Sequence, residues 1–410
     1  MRLFNIIFVL AFSLCVSPYS VAQDNIIRIY QDADRSNHVE SGISIERGIL
    51  TALDEVNNQI AGFQVEFVPL DHRGNVLRSK KNYDIFLADP TALAIFSGIH
   101  SPPLIRNRSF INESKALTIV PWAAGGPITR YPSPDNWVFR VSLDDTRAGG
   151  RIVDYALDTK KCQSPFLLLE ATPWGDSNLT AMGSHLIKRD VTDFSVSRFG
   201  MNLKESGANI LLQQITAAGS DCVILVGNAI EGTSISAAMA ITEPDLQMPI
   251  ISHWGITGGK LFEALGYETY SKIDLTFIQS CFSFNSDTLN DRENAVLNNA
   301  IKLFPEVNTA SDIKAPVGFI HAYDATRILL EAIREADLAG DITADRNSVR
   351  LALEDLQNPV QGLVKNYTKP FSSFDENTKP NGHEALGPNN YCMGRYNRAG
   401  DIILDDQASR

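Results

Sequence analysis

The residues of this 410-residue chain that could do chemistry stand at the ends of apolar runs. "LTIV" leads into Pro121-Trp122-Ala123-Ala124-Gly125-Gly126, and "FLLLE" leads into Thr172-Pro173-Trp174-Gly175. "MPIIS" leads into His253-Trp254-Gly255, and "LAIFSG" into Ile99-His100-Ser101. His100 beside Ser101 could be drawn as a base and a nucleophile, but adjacent side chains rarely point the same way, and GxSxG is absent. HExxH is absent, the seven histidines are scattered, and no CxxC or His/Cys cluster occurs, so neither a metal nor a cofactor is expected. Gly125 and Gly126 would let backbone N–H groups approach a polar or anionic ligand. They do not make a nucleotide loop, because GxxxxGK[ST] and GxGxxG are missing and the loop has no Lys. Non-covalent capture is what remains. Three of the four tryptophans occupy strand ends, each near a glycine. A Trp is often simply a large core residue, but three in one topological place predict the aromatic wall of a small-molecule cleft.

Such a cleft needs elements that gather strand ends. "IIRIYQ" (26–31) reads as a strand, and "SGISIERGILTALDEVNNQ" (41–59) as a helix with Ile45, Ile49, Ala52, Leu53 and Val56 at helical spacing. "FQVEFVPLD" (63–71), "TALAIFSG" (91–98) and "ALTIVP" (116–121) read as further strands. From residue 142 a second series alternates helix with buried strand: "SPFLLLE" (164–170), "FSVSRFG", "DCVILVGN" (221–228) and "MPIISHW" (248–254). Short links between strands and helices predict right-handed βαβ units and parallel sheets. Two such series predict two doubly wound α/β domains, whose ligands belong outside the carboxyl ends of the strands. The charge cluster near 287–294 reads as a solvated helix end. Helices follow over 318–340 and 345–358, and a strand pair over 391–404 turns at Arg398-Ala399-Gly400.

A formal charge of −12 argues against nucleic acid and anionic membranes as partners. Arg2, the apolar run "LFNIIFVLAFSLCV" and the small-x-small "SVA" predict a signal peptide cleaved after Ala22. That places the mature chain in the periplasm or outside, unanchored. Four cysteines follow the signal, and an even number in an oxidising compartment predicts disulfides.

Four stretches resemble the type I periplasmic solute-binding proteins, in particular the leucine/isoleucine/valine- and amide-binding group that serves ABC importers. They are "SGISIERGILTALDEVN", "SGIHSPPLIRNRSFINESKALTIVPWAAGGPITR", "VFRVSLDDTRAGGRIVDYAL" and "HAYDATRILLEAIREA". The resemblance implies two Rossmann-like lobes joined by a three-stranded hinge, with 24–141 and 285–388 in lobe 1 and 142–284 and 389–410 in lobe 2. It implies a monomer that is not an enzyme, binds a small molecule between its lobes and presents it to an ABC permease. A periplasmic sensor that reports to a membrane receptor would use the same fold.

Carried over position by position, the resemblance makes Ser101 and the Ala123, Ala124 and Gly125 loop contacts for one end of the ligand, with the loop's usual Thr missing. It puts Trp174 at an aromatic lid position, Asn228 near a second one, and Arg35 near another contact. Trp122 joins them as a cleft residue. Trp254 falls where amino-acid binders carry a carboxylate for the α-ammonium. That substitution predicts a ligand other than a standard aliphatic amino acid: first an aromatic or small organic acid, then an amide or amino-acid derivative, with Glu231 as a possible substitute carboxylate. Both disulfides are assigned to lobe 2, Cys162 to Cys222 and Cys281 to Cys392.

Overall fold

Runs of two to nine residues, most of them apolar, become the strands of two separate sheets in the computed structural model, which describes residues 25–405. The expected signal peptide lies outside the described residues. The first series gives β1 (Ile26–Ala33), α1 (Val39–Asp54), β2 (Gln59–Ile60), β3 (Phe63–Asp71), α2 (Val76–Ala88), β4 (Ala92–Ser97), α3 (Ser101–Glu113), β5 (Thr118–Val120) and β6 (Val138–Arg140). Its sheet runs β2-β3-β1-β4-β5-β6, parallel except where the short β2 meets β3.

The second series gives α4 (Asp145–Asp154), β7 (Pro165–Glu170), α5 (Pro173–Lys188), β8 (Ser195–Phe199), α6 (Glu205–Ala217), β9 (Cys222–Val226), α7 (Ala229–Ala240), β10 (Ile250–Ser252), α8 (Leu261–Tyr270) and β11 (Leu275–Ser280). The chain then returns to the first lobe with α9 (Asp291–Leu303), α10 (Pro316–Glu335) and α11 (Ile342–Glu354), and with a small hairpin of β12 (Val360–Gln361) and β13 (Asn366–Tyr367). Finally β14 (Tyr391–Tyr396) and β15 (Ile402–Leu404) join the second sheet as an antiparallel edge, in the order β15-β14-β11-β10-β9-β7-β8. The fold is α/β with two parallel-sheet lobes, as the alternation of strands and helices predicts.

Local chemistry explains the boundaries that periodicity missed. Helix α1 stops at Asp54 because Asn57 and Asn58 take left-handed backbone angles, which asparagine tolerates. Helix α2 buries Ser79, Asn82, Tyr83 and Phe86 rather than an aliphatic stripe, and is started by the Asn75 side chain, which accepts from the N–H groups of Leu77 and Arg78. In α3, Pro102 and Pro103 sit in the first turn, where their missing N–H groups cost nothing. The charge cluster near 287–294 is the start of α9, closed by a capping box between Asn290 and Glu293. Helix α10 crosses α1 so closely that a Cβ on Gly48 would stand 2.3 Å from the carbonyl oxygen of Phe319.

The cysteines pair within the second sheet. Cys162–Cys222 ties the approach to β7 to the start of the neighbouring β9, with 5.9 Å between Cα atoms. Cys281–Cys392 ties the end of β11 to β14, at 5.0 Å. Cys222 is fully enclosed, whereas Cys281 and Cys392 are half-buried. A thiol reductant added to the native protein is therefore expected to open Cys281–Cys392 first, read by alkylation and peptide mass spectrometry. Replacing both of those cysteines by serine is expected to cost about 2–4 kcal/mol in urea unfolding, because the bond closes a long loop in the unfolded chain.

Candidate ligand-binding cleft

The carboxyl ends of strands from both sheets meet at one enclosed space. Ile99, His100, Ser101, Pro102, Trp122 and Ala124 line it from the first lobe, and Glu170, Trp174, Asn228, Trp254 and Gly255 from the second. Of the residues singled out from sequence, Ser101, Trp122, Ala124, Trp174, Asn228 and Trp254 therefore come together. Ala123 and Gly125 do not reach the lining. Their carbonyls are turned inward and accept from Nη1 of the buried Arg140, at 3.2 and 2.9 Å. Arg35 stands apart from this lining: its guanidinium is bound to Gln31 and Glu46.

The small residues after β5 serve close approach, but chiefly of protein to protein. The N–H of Gly125 donates to Ser101 Oγ at 3.0 Å, which holds the start of α3 against the loop. The N–H of Gly126 donates across the lobes to Ser177 Oγ at 2.9 Å. Cβ atoms at these two positions would collide with Ile105 and Thr146 respectively. The glycines that matter to the tryptophans are their partners in space rather than in sequence. Trp122 lies against Gly318 of α10 and Gly258 of the second lobe, and Trp174 lies on Gly255.

The lobes are closed on each other. Trp122 and Trp254 face one another with ring centroids 6.1 Å apart, and Ser41 donates to the carbonyl of Gly258. The remaining cavity is about 10 Å³, on the scale of one water. Ligand sites of ordinary size need hundreds of Å³, so a ligand enters only when the lobes part. Three buried polar atoms in or next to the cleft wall have no hydrogen-bond partner among the described residues: the indole N–H of Trp174, which lines the cavity, and Nδ1 of His253 and Oδ2 of Asp145, which pack behind it. His253 itself is held by Nε2 at 3.0 Å from Asp145 Oδ1, with the Trp174 ring edge-on to it. His321, behind Trp254, is pushed down to about 3 by burial and stays neutral.

Glu170 is the cleft residue that sequence reading missed. It ends β7, where it looks like the last residue of a buried strand, yet its carboxylate is turned into the cavity wall. Oε1 accepts from Thr172 Oγ1 at 3.0 Å and Oε2 from Asn228 Nδ2 at 3.0 Å. Burial pushes the carboxyl up to about 7; Glu231 adds to the shift, and the Thr172 and Asn228 hydrogen bonds oppose it. The carboxylate in the cleft wall is thus Glu170 rather than Glu231, the substitute considered from sequence. Glu231 is buried and accepts from the Asn202 N–H.

The raised value has a defined sign. Between about 4.5, its ordinary value, and about 7, the unfolded chain is ionised while the folded one keeps its proton. Stability is therefore expected to fall as pH rises through that window, by about 3 kcal/mol. Glu170→Gln, which mimics the protonated form, should remove this slope. Urea midpoints from pH 4.5 to 8 in both proteins measure it, and equal slopes would show that Glu170 ionises freely.

Two facing lobes and a tryptophan-walled cleft between strand ends are the architecture of a clamp. A family model described as periplasmic binding protein matches residues 35–383 of this sequence. The chain belongs to the periplasmic binding protein family. Among solved structures, this periplasmic binding protein is similar to a type 1 periplasmic binding protein from Bordetella pertussis Tohama I, with TM-score 0.76, 17% identity, and coverage of 93% of this chain and 99% of that one. A leucine-binding protein from Thermotoga maritima matches with TM-score 0.72 and 15% identity over 92% and 97% of the two chains. A solute-binding protein of a Rhodopseudomonas palustris ABC transporter, solved with benzoate, matches with TM-score 0.74 and 15% identity over 93% and 95%. Comparison with curated protein sequences finds no match. Among the described residues no helix is long and apolar enough to cross a membrane.

Proposed function

We propose that this periplasmic binding protein captures a small molecule between its lobes and delivers it to an ABC permease. The lobes are taken as 24–141 with 285–388, and 142–284 with 389–410, moving as a monomeric, non-enzymatic clamp in the periplasm. The observation that carries the reading is the convergence of Trp122, Trp174 and Trp254 with Glu170 and Asn228 at the facing strand ends. Closure of the lobes over a ligand gives a permease a shape to read that the open form lacks.

The geometry reorders the ligand classes expected from sequence. Glu170 stands among three indoles, and no Arg or Lys lines the cavity. With Glu170 titrating at about 7, a bound anionic acid near neutral pH would hold that carboxyl in its protonated form and find no cation to offset its own charge. An ammonium would pair with Glu170 and lie against aromatic faces that attract cations. Amino acids and their amine-bearing derivatives therefore come before plain organic or aromatic acids. Ser101 and the polar edge of the first lobe remain for the other end of the molecule. The Thermotoga maritima relative is a leucine-binding protein and the Rhodopseudomonas palustris one was solved with benzoate, so the fold accommodates both classes.

The test is a thermal-shift panel of amino acids, amines, amides, organic acids and aromatic acids. A ligand that binds only the folded state must raise the melting temperature. Shifts confined to amine-bearing compounds support the reading, and shifts confined to plain acids would overturn the ligand class. A sensory partner of a membrane receptor would bind in the same cleft. Loss of ligand uptake in cells lacking the protein separates importer from sensor.

A further inference from the structure

Three residues scattered in sequence meet at the edge of the first lobe. Asp34 follows β1, His38 immediately precedes α1, and His100 immediately precedes α3. All three are buried, and one ligand-capable atom from each lies within 4.8 Å of the other two. His100 Nε2 is 3.1 Å from Asp34 Oδ2, and the His38 ring stands edge-on to His100 with centroids 4.7 Å apart. The only comparable group among the described residues, Cys162 with Asp221 and Cys222, has its sulfurs joined in a disulfide. We propose that Asp34, His38 and His100 form a binding site for a divalent transition-metal cation of the zinc class, bordering the ligand cleft.

Two imidazoles and one carboxylate are the donor set that zinc, cobalt and ferrous iron accept while keeping a coordination position open. A tetrahedral ion with bonds of about 2.0–2.2 Å holds its ligand atoms roughly 3.3–3.6 Å apart. The Asp34–His100 pair, at 3.1 Å, is slightly tighter than that spacing, and His38, whose ligand atom lies within 4.8 Å of the other two, has to close on them. The surroundings are prepared for the role. The other oxygen of Asp34 accepts from the backbone N–H groups of Asn37 and Ser36, at 2.8 and 3.3 Å, which fixes the carboxylate. Gly74 has φ +67°, and a Cβ there would press to 3.3 Å from Asp34 Oδ2 and 3.5 Å from His100 Nε2. A glycine thus leaves the near side of the pair free. His72 packs behind His100, with ring centroids 6.0 Å apart, and is already taken up by the Gly74 N–H on Nδ1 and the Gly98 carbonyl on Nε2. It supports the site and does not ligate. His100 also lines the inter-lobe cavity, so an ion reaches the site from the cleft when the lobes part.

The site does not depend on the identity of the organic ligand, and its test uses the metal alone. Tag-free protein is stripped with a chelator, then titrated with Zn²⁺ by calorimetry and with Co²⁺ by visible spectroscopy. One ion per chain is expected, with Co²⁺ giving the intense d–d band of a four- or five-coordinate centre. His38→Ala and His100→Ala should each weaken binding on the order of 100-fold or more, beyond the loss that follows removal of an outer-shell partner. His72→Gln should keep the stoichiometry. The wild-type protein binding neither ion at about 10 µM overturns the proposal without recourse to variants. So does one-to-one binding that survives in both alanine variants. If an alanine variant fails to fold, the Co²⁺ spectrum of the wild type decides alone, because octahedral surface binding gives only a weak band.

Discussion

Replacing Arg140 by methionine is expected to lower stability by about 3–5 kcal/mol, the cost of leaving buried carboxylates without their buried cation. Arg140 ends β6, its side chain is fully enclosed, and it lies where the chain passes from the first lobe to the second. Its Nε donates to Glu384 Oε2 at 2.8 Å, and its Nη2 donates to Asp144 Oδ1 at 3.0 Å. The backbone runs beside the returning segment: Arg140 N–H donates to the His383 carbonyl, and Ala385 N–H to the Arg140 carbonyl, each at 2.9 Å. The same guanidinium holds the Ala123 and Gly125 carbonyls, so its loss also frees the loop that carries Trp122 and Ala124. Methionine keeps much of the volume, so the drop reports the ionic and hydrogen-bond loss rather than a cavity. Urea unfolding measures it, and a change below about 1 kcal/mol would show that Arg130 and Arg147 suffice for Asp144 and Glu384.

The same variant carries an acid signature. Burial alone would push the Asp144 carboxyl up, but Arg140, Arg130 and Arg147 outweigh it and hold the group well below the usual carboxylate range. A depressed carboxylate contributes stability that is present above its ordinary value near 4 and is lost as pH falls through the folded value. The wild-type protein should therefore lose stability steeply on acidification below about pH 4, and Arg140→Met less steeply.

Trp122→Ala is expected to cost about 3–5 kcal/mol, the range for deleting a large buried aromatic side chain. Trp122 is 2% exposed and bridges the lobes, touching Gly318 and the Gly98 region on one side and Gly258 and Trp254 on the other. Its removal should favour the parted form as well as weaken the fold. Scattering in solution would show a larger radius for the variant than for the wild type without ligand. An unchanged radius would mean that the lobes are held together elsewhere, for example by Gly126 with Ser177 and Ser41 with Gly258.

Much of this was legible in the sequence because the fold is built from repeated local units. Strand–helix alternation gives the two parallel sheets, and apolar runs ending in tryptophan locate the cleft. Helix α2 was hidden because it buries Ser79, Asn82, Tyr83 and Phe86 rather than an aliphatic stripe, and α9 showed only its charged first turn because it buries little besides Val296 and Ala300. Glu170 was hidden because a terminal strand residue can point to either face, and only the turn at Thr172–Gly175 aims it. The Asp34–His38–His100 cluster was hidden because its members come from two loops brought together by the pairing of β1 with β4. Spacing along the chain carries no signal for such a meeting. Arg35 shows the converse: a loop position can match a family pattern while its side chain turns to Glu46.

The central claim is capture of an amine-bearing small molecule between the tryptophans and Glu170. Calorimetric titration of the wild-type protein, Trp174→Ala and Glu170→Gln with the tightest compound from the ligand panel tests it most directly. The account predicts one ligand per wild-type chain and at least about tenfold weaker binding in each variant, the equivalent of about 1.4 kcal/mol. Equal affinity in all three proteins would contradict it, as would a plain carboxylic acid that binds the Gln variant as tightly as the wild type.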